Sequence, residues 1–413
     1  MCVHQKHTDR ETATGVKKFR LADFFGQNWD AYIKSPKEYI FPEQYKAVAA
    51  IRACRTEALG IDHYVCEECG EISKVYHSCK NRFCPTCSWK DTLDWADKMK
   101  EQMLDIPHRH VVFTLPHRLN NLINDNKGTL LDILFKTAAD SIKDWMGHKY
   151  KLTPGIINVL HTFGETKELH PHIHMILSLG GINKNHLVEE IKGEYIKYEF
   201  IQTKFRCKFE DKLVQLFDAG ALNNNFKNRM DFMCFLRRIN EKNWRIHFES
   251  AMKLPAEVIR YIGRYSKRAC ISEYKITNIN GQYISFKYKD NKNLDFNAKP
   301  IVKELTLHYN QFFPRLLQHV PLPYFRLVRY YGAYAARTKA ILKEKYPVYQ
   351  EKTLDETEKV ETYEIPDNPK LCKNCNREKK YLYSTFKNRE GKIIYMSRLS
   401  QKEKNNKPNE KAA

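Results

Sequence analysis

The chain has 413 residues, long enough for about two or three domains, each with its own core. Apolar residues make up 42% and aromatic residues 12%, which excludes an intrinsically disordered chain. Lys and Arg number 70 against 49 Asp and Glu, and the net charge of +21 calls for a polyanionic partner, by default nucleic acid. An anionic membrane would instead need a basic amphipathic helix or an apolar anchor. No apolar run of about 18 residues and no signal peptide is present, so a soluble, cytoplasmic protein is expected.

Residues 1–36 read as a basic segment, with Lys17, Lys18 and Arg20 leading into Phe24, Phe25 and Trp29. A helix is expected after Pro42, carrying Tyr45, Val48, Ala49 and Arg52. The stretch 37–104 then holds a cysteine-rich segment and an amphipathic helix with Leu93, Ala96, Met99 and Met103 on a packing face. The character changes over 105–345. Val111 to Phe113, stopped by Pro116, reads as a buried strand, Leu130 to Trp145 as a helix, and Ile156–Phe163 and His172–Leu179 as two strands. A helix opens at Pro255, a favourable first-turn position, and runs to Arg268. Strands around Ile276 and Ile284 flank an Asn280-Gly281 hairpin turn. Residues 346–413 are highly charged, and the last dozen read as a disordered tail. The order of elements is that of an α+β protein.

Six of the 12 cysteines lie between Cys54 and Cys87, which without an export signal reads as metal ligation and not as a disulfide framework. Cys66-x2-Cys69 and Cys84-x2-Cys87 are knuckle pairs, and C-x2-C lets two thiolates of one turn reach one tetrahedral zinc. Cys54, His63, His77 and Cys79 lie among them, so the candidate ligands suffice for two closed zinc sites. Lys80, Asn81 and Arg82 sit between the pairs and could touch DNA. Cys372-x2-Cys375 is half of a zinc site whose partners the sequence does not name.

His170-Pro-His172-Ile-His174 is a second dense signal. On a strand His172 and His174 project to one side, toward one metal, with Glu165 a third ligand from just upstream. A carboxylate with two imidazoles suits Mg²⁺ or Mn²⁺ with open positions for a phosphate oxygen. Ordinary sheet histidines would also fit. So would the alternating pattern of the histidine-triad nucleotide hydrolases, in which the middle His attacks phosphate without a metal.

The segment from Pro255 to Arg268 carries Tyr261 and Tyr265, four apart and hence on one helical face with Cβ atoms about 6 Å apart. Arg260, Arg264 and Arg268 form a basic row beside them. A phenol is a poor nucleophile at neutral pH, but guanidinium charge and a polarised phosphodiester favour the phenolate. The alternative is that both tyrosines pack a helix onto a sheet. Between Phe312 and Arg337, Arg326, Arg329 and Tyr330 belong to a mixture of bases and aromatics suited to stacking on single-stranded bases and neutralising phosphates, although half of these aromatics fit a core equally well.

Over roughly residues 42 to 340 the chain resembles the HUH transposases of the insertion sequence 91 family. The likeness rests on Cys54-Arg-Thr-Glu-Ala-Leu-Gly, His63 to Cys69, Ser78 to Cys87, His110 to Pro116, Phe163-Gly-Glu165 through His174, Arg260 to Tyr265, and Phe325 to Gly332. Phe83 departs from the pattern, because relatives tend to have His before Cys84; Gln often stands where Glu165 does. The resemblance implies a zinc-binding N-terminal module and a catalytic domain on a central antiparallel sheet. Its histidine pair falls on His172 and His174 and its nucleophiles on Tyr261 and Tyr265. It implies one or two structural Zn²⁺, a catalytic Mg²⁺ or Mn²⁺, and single-stranded or hairpin transposon ends as partner, with no membrane and no nucleotide cofactor. The expected reaction is rolling-circle transposition through a 5′-phosphotyrosine. A plasmid relaxase or replication initiator shares that chemistry, and a zinc-containing nucleic-acid-binding protein without catalysis is the non-enzyme alternative.

Overall fold

The computed structural model describes residues 19–36, 38–88, 95, 99, 102–193, 198–240, 244–252, 269–295, 299–345, 371–388 and 390–396. Helix α1 (Leu21–Tyr32) and α2 (Pro42–Ala53) precede a hairpin of β1 (Ile61–Val65) and β2 (Ile72–Tyr76). Next come β3 (His108–Thr114), α3 (Asn120–Asp125), the long α4 (Lys127–Tyr150), β4 (Gly155–Phe163) and β5 (Leu169–Ser178). A small hairpin of β6 (Gly180–Ile182) and β7 (Val188–Glu190) leads to α5 (Tyr198–Asp218), α6 (Arg229–Asn240) and β8 (Arg245–Met252). A meander follows of β9 (Ile276–Asn280), β10 (Tyr283–Leu294) and β11 (Pro300–His308), then α7 (Tyr309–Leu317), β12 (Val328–Gly332) and α8 (Ala336–Lys345). The last elements among the described residues are β13 (Lys380–Lys387) and β14 (Ile393–Met396).

The central sheet is antiparallel, in the order β12-β4-β5-β3-β8. Alternation sorts its residues. Val111, Phe113, Leu160, Ile173, Met175 and Leu177 turn to one face and are buried against α4 and α5 through Leu134, Phe135, Phe205 and Phe209. The opposite face is apolar at one end, where Ile157 and Ile176 meet Trp95, Met99, Met103 and Tyr334. At its other end it carries imidazoles. That face is where a site can form, because polar rings there displace no core.

Two ends of the chain depart from the expected division. Within the segment 1–36, read as basic, the described residues Leu21–Tyr32 form α1, with Leu21, Phe24, Phe25, Trp29 and Tyr32 buried at helical spacing. Phe25 stacks on Phe313 of α7 at 5.0 Å, and Asn28 Nδ2 donates to the Gly281 carbonyl at the β9–β10 turn, 3.0 Å. Gly281 has φ +55°, the left-handed turn that the Asn-Gly pair anticipates. At the other end, β13 pairs with β1, giving a sheet in the order β14-β13-β1-β2. Strands from opposite ends of the chain thus share one small module. Among the described residues no helix is long and apolar enough to cross a membrane.

Candidate active site and metal centres

His172 and His174 lie two apart on β5 and face the same way. The register sets His161 of β4 opposite His172, and ligand atoms of all three rings lie within 4.8 Å of one another. His172 Nδ1 donates to the His170 carbonyl at 2.7 Å, which leaves its Nε2 as an acceptor. That Nε2 stands 3.1 Å from His174 Nε2, and His174 Nδ1 is 2.9 Å from His110 Nε2 on β3. Without a cation one proton must sit between the two Nε2 atoms. With one, His174 donates through Nδ1 to His110 and both Nε2 lone pairs turn to the ion. The spacing fits such an ion, since adjacent ligands of an octahedron with bonds of ~2.1 Å are ~3.0 Å apart.

Electrostatics favour that use. Burial holds His172 and His174 well below the ordinary imidazole range, and neighbouring His161 adds to the effect. Burial, with His247 and His161 nearby, brings His110 down to about 4. The rings are therefore neutral at physiological pH, the form that ligates metal.

Glu165 requires a correction. It lies in the β4–β5 turn, where Oε2 accepts from Lys275 Nζ and from the Lys289 backbone N–H, each at 3.1 Å. Burial opposes its ionisation, but the Lys289 N–H and the Lys275 ammonium outweigh it and hold the carboxyl below its ordinary range. The third ring of the cluster is His161, which sequence reasoning missed. No local signal could have found it, because the β4–β5 register shifts between His161 and Phe163.

The cysteines also regroup. Cys54, Cys79, Cys84 and Cys87 converge, with Sγ separations of 3.5 Å for Cys54–Cys87, 3.6 Å for Cys79–Cys87 and 3.7 Å for Cys54–Cys84. A tetrahedron with Zn–S bonds of ~2.3 Å has edges of ~3.8 Å, so four thiolates around zinc fit here. His63 and His77 stand outside the cluster, contrary to expectation. His63 Nε2 pairs with Thr385 Oγ1 at 3.1 Å and its ring stacks on Tyr383 of β13, while His77 Nε2 meets Asp62 Oδ1 at 2.7 Å. Phe83 therefore leaves no ligand missing; it is buried in the core beside Cys84. Cys66 and Cys69 face Cys372 and Cys375 instead.

The chain matches the family described as "Putative transposase" over residues 155–341, and a transposase zinc-binding domain over residues 24–115. Two successive stretches of the chain are thus similar to the two parts of zinc-binding-domain transposases. It is 28% identical over 321 residues to the "Putative transposase y4qJ" of Sinorhizobium fredii, covering 76% of this chain and 79% of that protein. It is 28% identical over 302 residues to the "Transposase for insertion sequence element IS801" of Pseudomonas savastanoi pv. phaseolicola, covering 71% of each. No solved structure matches it.

The transposase match spans His161, His172 and His174, and the zinc-binding match spans Cys54, Cys79, Cys84 and Cys87. Tyr261, Tyr265, Arg260, Arg264 and Arg268 fall within the first match but outside the described residues. Ala269 and Cys270, which resume the chain, line a cleft with His161, Thr162, Arg82 and Lys127. Arg326 is exposed beside β12. Arg329, expected to contact DNA, lies 4.2 Å from the Phe135 ring and 5.0 Å from the Phe325 ring, and is paired with Asp132. The Tyr330 hydroxyl accepts from Trp95 Nε1 at 2.8 Å, so the tip of that ring is committed to packing.

Proposed function

We propose that this protein is a transposase that cleaves and rejoins single-stranded DNA at transposon ends, through a 5′-phosphotyrosine formed on Tyr261 or Tyr265. The observation that carries the reading is the juxtaposition of His161, His172 and His174 on the imidazole-bearing face of the central sheet. These residues would hold a divalent ion, Mg²⁺ or Mn²⁺, which when bound polarises the scissile phosphate. A third imidazole in place of a carboxylate shifts the preference toward Mn²⁺. His110 and the His170 carbonyl fix the ring orientations from behind.

Ala269, which follows the tyrosine segment in sequence, lines the same cleft as His161. The tyrosine Oη attacks phosphorus, the P–O3′ bond breaks, and the proton lost by the phenol is balanced by the one the 3′-oxygen gains. The ester conserves the bond energy, so rejoining to a second 3′-OH needs no ATP. The second tyrosine holds one strand while the other is transferred. Arg260, Arg264 and Arg268 would neutralise phosphates near the nucleophiles, and Arg82, at the zinc module's edge of the same cleft, would hold the transposon end.

A labelled single strand from a transposon end, incubated with the protein and Mn²⁺, tests this on a denaturing gel. A covalent adduct that needs the metal supports the reading. Tight binding with no adduct would support the non-catalytic nucleic-acid-binding alternative.

A further inference from the structure

The pair Cys372-x2-Cys375 lies outside both matched regions, yet it meets Cys66-x2-Cys69 across the module shared by the two chain ends. Cys66 Sγ is 3.4 Å from Cys375 Sγ, and Cys69 Sγ is 3.5 Å from Cys372 Sγ. These separations approach the ~3.8 Å edge of a zinc tetrathiolate.

The backbone supplies an independent observation, because the two turns are built alike. The Cys66 N–H donates to the Glu71 carbonyl at 2.9 Å, and the Cys372 N–H to the Arg377 carbonyl at 2.8 Å. The Gly70 N–H returns to the Cys66 carbonyl and the Asn376 N–H to the Cys372 carbonyl, both at 2.9 Å. The residue after each second cysteine is left-handed, Gly70 at φ +71° and Asn376 at φ +55°. Each turn thus tucks two thiols to one side. One caps the β1–β2 hairpin and the other leads into β13, which pairs with β1.

We propose that Cys66, Cys69, Cys372 and Cys375 hold a second zinc ion, which closes a ribbon joining the two ends of the chain and exchanges faster than the ion held by Cys54, Cys79, Cys84 and Cys87. The ion pairs that cross the same junction cannot replace it. Arg377–Glu68 at 2.6 Å and Lys380–Glu67 at 2.7 Å are more than half exposed, and such pairs contribute little. Glu71 Oε2, 3.1 Å from Cys372 Sγ, accepts the thiol proton in the metal-free arrangement. When zinc displaces that proton, the buried Lys379 ammonium, 3.5 Å from Glu71 Oε1, offsets the added negative charge. The ranking of the two ions follows from access. Cys54, Cys84 and Cys87 are buried, whereas Cys69 and Cys375 are open to solvent.

Zinc content tests the proposal whether or not the protein cleaves DNA. Native mass spectrometry of the full chain should show two zinc ions, falling to one in C372S/C375S. Release to a chromogenic chelator should be biphasic in the wild type, with the fast half missing from that variant. If the variant fails to fold, cysteine alkylation of the wild type replaces it. Cys66, Cys69, Cys372 and Cys375 should be protected together and become reactive together as the first ion leaves. One zinc in the wild type would overturn the proposal. So would two zinc ions retained in the variant, or alkylation at these four cysteines that needs a reductant, which would mean disulfides.

Discussion

His161 on β4 stands directly opposite His172 on β5 in the antiparallel register, with ring centroids 5.4 Å apart and steeply inclined planes. Neither residue reaches the other along the chain without the β4–β5 hairpin. Their meeting follows from strand pairing. It implies that His161 is as necessary to the ion as the histidine pair itself. Cleavage should fall by about two orders of magnitude or more in His161→Ala, because loss of groups that merely orient ligands already costs about 10- to 100-fold. Glu165→Gln should retain metal affinity and lose some stability instead, since its contacts are to Lys275 and Lys289. Isothermal titration with Mn²⁺ separates the two. A Glu165→Gln that loses the ion while His161→Ala keeps it would restore the carboxylate as ligand.

His110 touches His174 and is not itself in the ligand cluster. His110→Ala should weaken Mn²⁺ binding about 10- to 100-fold by freeing the His174 ring, whereas His110→Asn, which keeps a hydrogen-bonding group, should recover part of it. The contrast between the two variants, read in metal affinity, distinguishes orientation from bulk packing.

Stability should fall on acidification. His319 and His108 are buried, and burial lowers them from the usual 6.5 to about 3 and about 4. Below pH 6.5 the unfolded chain takes up protons that the folded chain refuses, so stability is full above that pH and is lost as pH falls toward the folded values. Every tenfold loss of proton affinity on folding is worth ~1.4 kcal/mol, so the pair should cost on the order of several kcal/mol between pH 7 and 4. Denaturant titrations across that range check the sign. A midpoint unchanged from pH 7 to 5 would refute it.

Arg329 and Arg326 should separate in solution. Arg329 sits over two aromatic rings and pairs with Asp132, so Arg329→Ala should lose about 1–2 kcal/mol of stability with little change in DNA affinity. Arg326 is exposed, and Arg326→Ala should leave stability intact while reducing the log–log salt slope of single-strand binding by about 0.7. The same slope in both variants would remove this assignment.

Legibility in the sequence followed the range of each interaction. His172 and His174 were legible because period-2 geometry needs only two residues of one strand. His161 was not, because a cross-strand neighbour depends on register, which the β4–β5 turn and its irregularity between His161 and Phe163 decide. Glu165 was attractive by proximity in sequence, yet its turn points it at β10. The knuckle pairs were legible one at a time. Their pairing was not, since Cys66 and Cys375 are 309 residues apart and only the β1–β13 ladder brings them together. His63 and His77 looked like ligands because spacing cannot show that Thr385 and Asp62 already satisfy them. The α1 helix hid behind its basic flank, although Leu21, Phe24, Phe25 and Trp29 already carried a helical period.

The most direct measurement is the covalent adduct itself. A 3′-labelled single strand carrying a transposon end, incubated with Mn²⁺ and resolved on a denaturing gel, should yield a protein-linked 5′ product with the wild type. Tyr→Phe removes the attacking oxygen and barely alters packing, so either single variant should keep some adduct and Y261F/Y265F should form none. His172→Ala should bind the strand and form none. A 5′-linked adduct persisting in Y261F/Y265F would place the nucleophile elsewhere and contradict the account.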